Sequence, residues 1–199
     1  MTDFEFIFAL YALLLGLSLV SLIGGLGNVL EREFADDVKT GAEFQGGENA
    51  FRIGWLTPLM AVFVVLDLMS FWAFAWSVRT LLSVTTPTLL GVVMFASAYY
   101  LAARLVFPGD PRRFADLDVH YFRVHRTIFA ILIALVAVQW AYLMSIEALR
   151  GVLMSPLSIG ATLVFIALMI AAALVRSPKV QIVLLVMLIA RYLVLYLLA

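Results

Sequence analysis

Asp67, Gln139 and Arg191 are the residues of this 199-residue chain whose types and placement could do chemistry. Each interrupts a long apolar stretch at a similar remove from its start: Asp67 lies 13 residues after Gly54, Gln139 12 after Thr127 and Arg191 11 after Val180. At a helical rise of about 1.5 Å per residue, all three fall roughly 17–20 Å along their segments, near or just beyond the midplane of a bilayer. A carboxylate or guanidinium at that depth is costly unless it is paired or hydrated, so Asp67 and Arg191 are expected to face the interior of a helix bundle. Three arrangements satisfy them. They can belong to a polar pathway in which Asp67 takes and releases a proton and Gln139 and Ser70 extend the track. They can form a structural ion pair. Or Arg191 can snorkel to the headgroups and leave Asp67 protonated.

Other chemistries find little support. His120 and His125 are five residues apart and do not share a helical face, so a metal site is not expected. Haem between mid-membrane histidines is excluded. A retinal Schiff base is excluded as well, because Lys39 and Lys179, the two lysines, lie outside the apolar stretches. The acids between Glu31 and Glu48 lack the spacing of a calcium loop and read as a hydrated segment. No serine elbow, aspartate pair, His-Glu zinc motif or phosphate-cradling glycine loop stands in the apolar segments, and an enzyme is not expected. There is no cysteine, which removes thiol and disulfide chemistry. Tyr99 and Tyr100, with Arg104 one turn on, read as an interfacial belt or a headgroup or quinone-like ligand site, and Glu147 with Arg150 reads as an exposed helix pair.

The elements that must position these residues follow from composition. Hydrophobic residues make up 65% of the chain and charged residues 13%, with a mean hydropathy of +1.09, far from the balance of a water-soluble domain. The 13 basic and 13 acidic residues cancel, and nucleic acid is not an expected partner. Apolar stretches long enough to cross a hydrocarbon core of about 30 Å predict six spans in one transmembrane domain, over residues 6–30, 54–78, 81–105, 126–148, 152–175 and 179–198. Pro58, Pro87, Pro156 and Pro178 stand near span starts, where a missing N–H costs least. Gly16, Ser18, Ser21, Gly24, Gly25 and Gly27 give the first span a face of small residues, expected as its tightest packing seam. Two further segments read as short interfacial helices. Residues 28–41 place Leu30, Phe34 and Val38 on one face, and Asp110-Pro111 reads as a helix start, with Phe114, Leu117, Tyr121 and Phe122 opposite its charges.

Lys and Arg are unevenly shared. Arg32, Lys39, Arg52, Arg104, Arg112, Arg113, Arg123, Arg126, Arg176 and Lys179 follow the odd-numbered spans, against Arg79 and Arg150 on the other side. The positive-inside rule then puts both termini on the non-cytoplasmic face, and Trp72, Trp76, Trp140, Tyr142, Tyr192 and Tyr196 read as an aromatic belt there. On the cytoplasmic side Arg112, Arg113 and Arg123 are candidates for lipid-headgroup contact. Ile7-Phe8-Ala9 is echoed by Ile128-Phe129-Ala130, and Thr57-Pro58-Leu59 by Ser155-Pro156-Leu157, which suggests an inverted repeat of three spans.

The run Gly24-Gly25-Leu26-Gly27, the Tyr99-Tyr100-Leu101-Ala102-Ala103 stretch before Pro108, and His120-Tyr121-Phe122-Arg123 resemble small bacterial membrane proteins of six spans. The resemblance implies a bacterial inner-membrane location and carries no activity, cofactor or functional residue. Taken together, the residues predict an all-α polytopic bundle acting as a small channel or transporter for an ion, proton or small solute, with Asp67, Arg191, Gln139 and Ser70 in its polar layer. The alternative is a non-catalytic subunit of a larger membrane complex. Six short spans enclose little volume, so a homo-oligomer, a dimer first, or partner membrane subunits are expected.

Overall fold

The computed structural model describes residues 3–40, 51–77 and 85–198. It contains α1 (Asp3–Thr40), α2 (Leu56–Ser77), α3 (Thr86–Val106), α4 (Leu117–Ser145), α5 (Glu147–Leu153), α6 (Pro156–Leu174) and α7 (Pro178–Leu198). The described residues hold no strand, only a backbone bridge between Arg52 and Asp116. All helices but α5 are long and apolar enough to cross a membrane, and the chain is a multi-pass membrane protein with an all-α fold. The helix starts obey local chemistry. Thr85 and Ser155 cap α3 and α6 by accepting from Thr88 N and Ser158 N, both at 3.3 Å, and a proline follows each cap.

The six long helices close a ring in the order α1, α3, α4, α6, α7, α2, and α2 also touches α3 and α4 across it. α2 thus sits where most neighbours meet. Its Phe63 lies 5.9 Å from the Phe129 ring, 6.5 Å from Phe165 and 6.1 Å from Tyr192, tying α2 to α4, α6 and α7. On α1 the buried positions Ile7, Tyr11, Leu15, Ser18 and Leu22 recur every three or four residues and Val29 follows two turns on, the seam spacing of a helix laid lengthwise on a partner, here chiefly α3. α1 runs along α3, whereas α4 has no comparable run along α7, so the packing does not repeat between the halves.

Several expectations are corrected. Residues 28–40 are no separate interfacial helix: α1 passes through Gly27 unbroken for 38 residues, about 57 Å, since neither proline nor a left-handed glycine interrupts it. The second expected interfacial helix lasts one turn of 3-10 helix, Pro111–Arg113, with Asp110 capping it through Arg112 N at 3.1 Å as the Asp-Pro pair predicts. It stops because Arg52 N donates to Ala115 O at 3.0 Å and Leu117 N to Arg52 O at 3.2 Å, which holds residues 114–116 extended. Leu117 and Tyr121 then open α4, so the helix that carries the fourth span begins at Leu117, ahead of the expected span. The sequence reading missed α5, and Arg150 in it does not pair with Glu147 but donates to Met144 O from Nε at 3.2 Å and Nη2 at 3.1 Å, closing the end of α4. The small-residue seam narrows to one glycine. A Cβ on Gly25 would stand 2.6 Å from the Phe107 Cβ, while Gly16, Gly24 and Gly27 face open space. Arg79 and the start of the expected third span lie outside the described residues.

The Arg52 bridge brings Asp118 to the start of α2, where its Oδ1 accepts from Leu56 N at 3.3 Å and Leu117 O accepts from Thr57 Oγ1 at 3.2 Å. Gly54 lies against the Asp118 carboxylate so closely that a Cβ would occupy its space. Gly54→Ala is therefore expected to push Asp118 off the α2 start and cost about 1–2 kcal/mol, the worth of a lost cap plus local overcrowding. Detergent melting of Gly54→Ala checks this, and an unchanged midpoint would refute it.

Candidate functional site

Asp67 lies a little past the middle of α2 and is 1% exposed. Its neighbours are tyrosines. Tyr99 of α3, itself fully buried, donates to Asp67 Oδ2 at 2.6 Å, and Tyr192 of α7 donates to Oδ1. The Tyr99 hydroxyl also lies 3.3 Å from Val64 O. Ser70 donates not to the carboxylate but to the Asp67 main-chain carbonyl at 2.7 Å, and Tyr196 caps Leu66 O at 3.0 Å. One acid thus ties together α2, α3 and α7, with Phe71 supporting Tyr99 edge-on at 5.3 Å.

Each helix has a local reason to present its group. On α3 the buried residues are Ala96, Tyr99, Ala102, Ala103 and Val106, a stripe of small side chains that lets α3 come close enough for the phenol to reach across. On α7 the buried residues Leu185, Leu188 and Tyr192 share one face, which turns Tyr192 inward and leaves Leu193, Val194 and Leu195 outside.

Arg191 does not join this group. Its guanidinium sits over the Phe165 ring at 4.0 Å and near Tyr192 at 5.1 Å, and among the described residues no ion pair within 4 Å connects it to Asp67. Gln139 is half-buried and turned into a groove between α1, α3 and α4. The expected polar layer therefore divides: Asp67 and Ser70 share one turn of α2, Arg191 faces aromatic rings, and Gln139 faces the groove.

The basic end of the bundle is organised differently. Arg113 pairs with Asp110 at 3.3 Å on the surface, Arg112 lines a polar hollow of about 700 Å³ with Asn28, Glu31 and Arg32, and Arg123 lies 5.4 Å over Phe114. Both histidines serve the backbone: His120 Nε2 lies 3.1 Å from Leu105 O, and His125 Nδ1 lies 3.2 Å from Phe122 O with its ring stacked on Tyr121 at 5.3 Å. Among the described residues no cluster of three metal-binding side chains occurs.

Tyr99, Tyr192 and Gln181 are the buried polar residues that sequence reasoning missed or misplaced. In the sequence Tyr192 reads as part of an interfacial belt, and Tyr99 as belt or as a headgroup or quinone-like ligand site, because tyrosine gathers at membrane surfaces. The signal that separates them is the helical face: Tyr99 shares its stripe with alanines, whereas its neighbour Tyr100 is exposed. Gln181 binds Tyr121, Ala172 and Val175 at once. Compared with protein families, curated proteins and solved structures, the chain matches none, and the arrangement around Asp67 has to be read from its own geometry.

Proposed function

We propose that this protein is a small proton-linked channel or transporter of a bacterial inner membrane, with Asp67 as the proton-carrying group and no enzymatic activity. The observation that carries this reading is the bridge from Tyr99 through Asp67 to Tyr192: an acid sealed inside the bundle and held by uncharged donors. A guanidinium only donates, so an Asp–Arg pair would hold the acid ionised. A phenol both donates and accepts, so a protonated Asp67 can return a hydrogen bond to either tyrosine after a hydroxyl rotates. Both protonation states keep their partners, which an alternating proton carrier requires. Exchange with water then needs α3 or α7 to part from α2, because the carboxyl is closed off in the state described. Under the positive-inside rule the basic end faces the cytoplasm and the termini lie on the other side.

A second reading, an accessory subunit in a homo-oligomer or larger membrane complex, draws support from α1. Gly16, Gly24 and Gly27 face open space beside exposed Leu13, Leu17, Val20 and Ile23, a surface another helix could approach closely.

Proton flux into liposomes holding the purified protein and an internal pH dye separates the two. Asp67→Asn keeps a carbonyl acceptor for one tyrosine but cannot carry a proton, so flux is expected to fall at least about tenfold while the melting midpoint stays close to wild type. Flux equal to wild type, or none above empty liposomes from wild type under any gradient, would overturn the transport reading.

A further inference from the structure

Away from the basic end, α1, α3 and α4 separate around a groove of about 360 Å³ lined by Tyr11, Thr88, Gly91, Phe95, Val138 and Gln139 among others. Its volume lies in the range of small-molecule sites. The walls are predominantly apolar and carry no Asp, Glu, Lys or Arg. Phe71 and Phe95, edge to face at 4.9 Å, form an aromatic side. The polar groups are neutral and few. Tyr11, 7% exposed, lines the groove, and among the described residues its hydroxyl makes no hydrogen bond. The Gln139 amide is in the same position, half-buried and without a partner among the described residues. Two unpaired hydrogen-bonding groups in an apolar recess at membrane depth are costly unless something meets them.

We infer that this groove binds a neutral, membrane-soluble molecule that carries a carbonyl acceptor on an apolar body. The carbonyl accepts from the Tyr11 hydroxyl and the Gln139 amide, and the body lies along Phe71, Phe95 and Val138. A charged headgroup is excluded by the same lining, since nothing in it would pair with the charge. Two molecular sources share this chemistry: a quinone ring on an isoprenoid chain, and the ester of an acylglycerol. The lining does not include Asp67, so the site is separate from the Asp67 bridge and does not depend on proton transport.

Gly91 supplies a clean block. It lines the groove, and a Cβ there meets nothing within 4 Å, so a leucine would fill the recess without disturbing the helix packing. The protein in phosphatidylcholine nanodiscs is titrated calorimetrically with decylubiquinone and, separately, with dioctanoylglycerol, against empty nanodiscs. Saturable binding of one probe is expected, and which probe binds identifies the source. Tyr11→Phe is expected to weaken it about 3–10-fold through the lost hydrogen bond, and Gly91→Leu to abolish it with the melting midpoint retained. Saturable binding by neither probe, or binding that either variant leaves unchanged, would overturn the proposal.

Discussion

Asp67→Ala is expected to lower stability by about 2–4 kcal/mol, because it strands two buried phenols whose desolvation is no longer offset. Tyr192 loses its carboxylate acceptor, and Tyr99 keeps only the Val64 carbonyl at 3.3 Å. The origin of the loss can be isolated. Adding Tyr99→Phe and Tyr192→Phe to Asp67→Ala removes the stranded hydroxyls and should recover much of the stability, since replacing all partners of a buried network is far milder than removing one. Adding Arg191→Leu instead should recover nothing, because the guanidinium rests on Phe165 and makes no ion pair with Asp67. Denaturant titration in mixed micelles measures all three. Rescue by Arg191→Leu and not by the tyrosine changes would mean that the acid is held by charge.

The second large effect is expected at Gln181, which is fully buried where α4, α6 and α7 meet. Its Oε1 accepts from Tyr121 at 2.8 Å, and its Nε2 donates to Ala172 O at 2.6 Å and Val175 O at 2.5 Å, closing the end of α6 with a side chain from α7. Gln181→Leu preserves bulk but leaves the Tyr121 hydroxyl and the last carbonyls of α6 without this partner, a loss of about 2–4 kcal/mol. Gln181→Glu is expected to be worse. An ionised glutamate can still accept from Tyr121, but it turns an acceptor toward two carbonyl oxygens. Melting midpoints should therefore fall in the order wild type, Gln181→Leu, Gln181→Glu. A glutamate variant as stable as wild type would show that the amide donors carry no weight.

The number and type of the spans were legible in the chain because a charge-free stretch of about 20 residues has no other common use. The prolines and the Asp110 cap were legible for an equally local reason. Which way a side chain faces was harder. A span such as α2 is apolar around its whole circumference, so nothing in its pattern marks the inner side, and Asp67 could be placed at depth but not given partners. Charge and depth leave Arg191 three arrangements, of which an ion pair with Asp67 is one. In the structure the adjacent residue, Tyr192, takes that role, and one step along a helix turns a side chain by about 100°. Helix continuity was misjudged at Gly27 and Arg113 for opposite reasons. At Gly27 nothing local compels a break. At Arg113 the break is compelled by Arg52, about 60 residues earlier, which no local pattern reports.

The Asp67 bridge also dictates an order of events during synthesis. Its two donors lie 32 and 125 residues further along the chain, so the acid is made before both and reaches the membrane well before Tyr192 exists. At roughly 5–20 residues per second, Tyr192 follows Asp67 by about 6–25 s. For that interval the second helix resides in the bilayer with its carboxyl incompletely satisfied, held by the insertion machinery or as the neutral acid. The bundle cannot complete its centre until α7 emerges, and a nascent chain halted before Tyr192 would present quality-control proteases with an exposed mid-membrane acid.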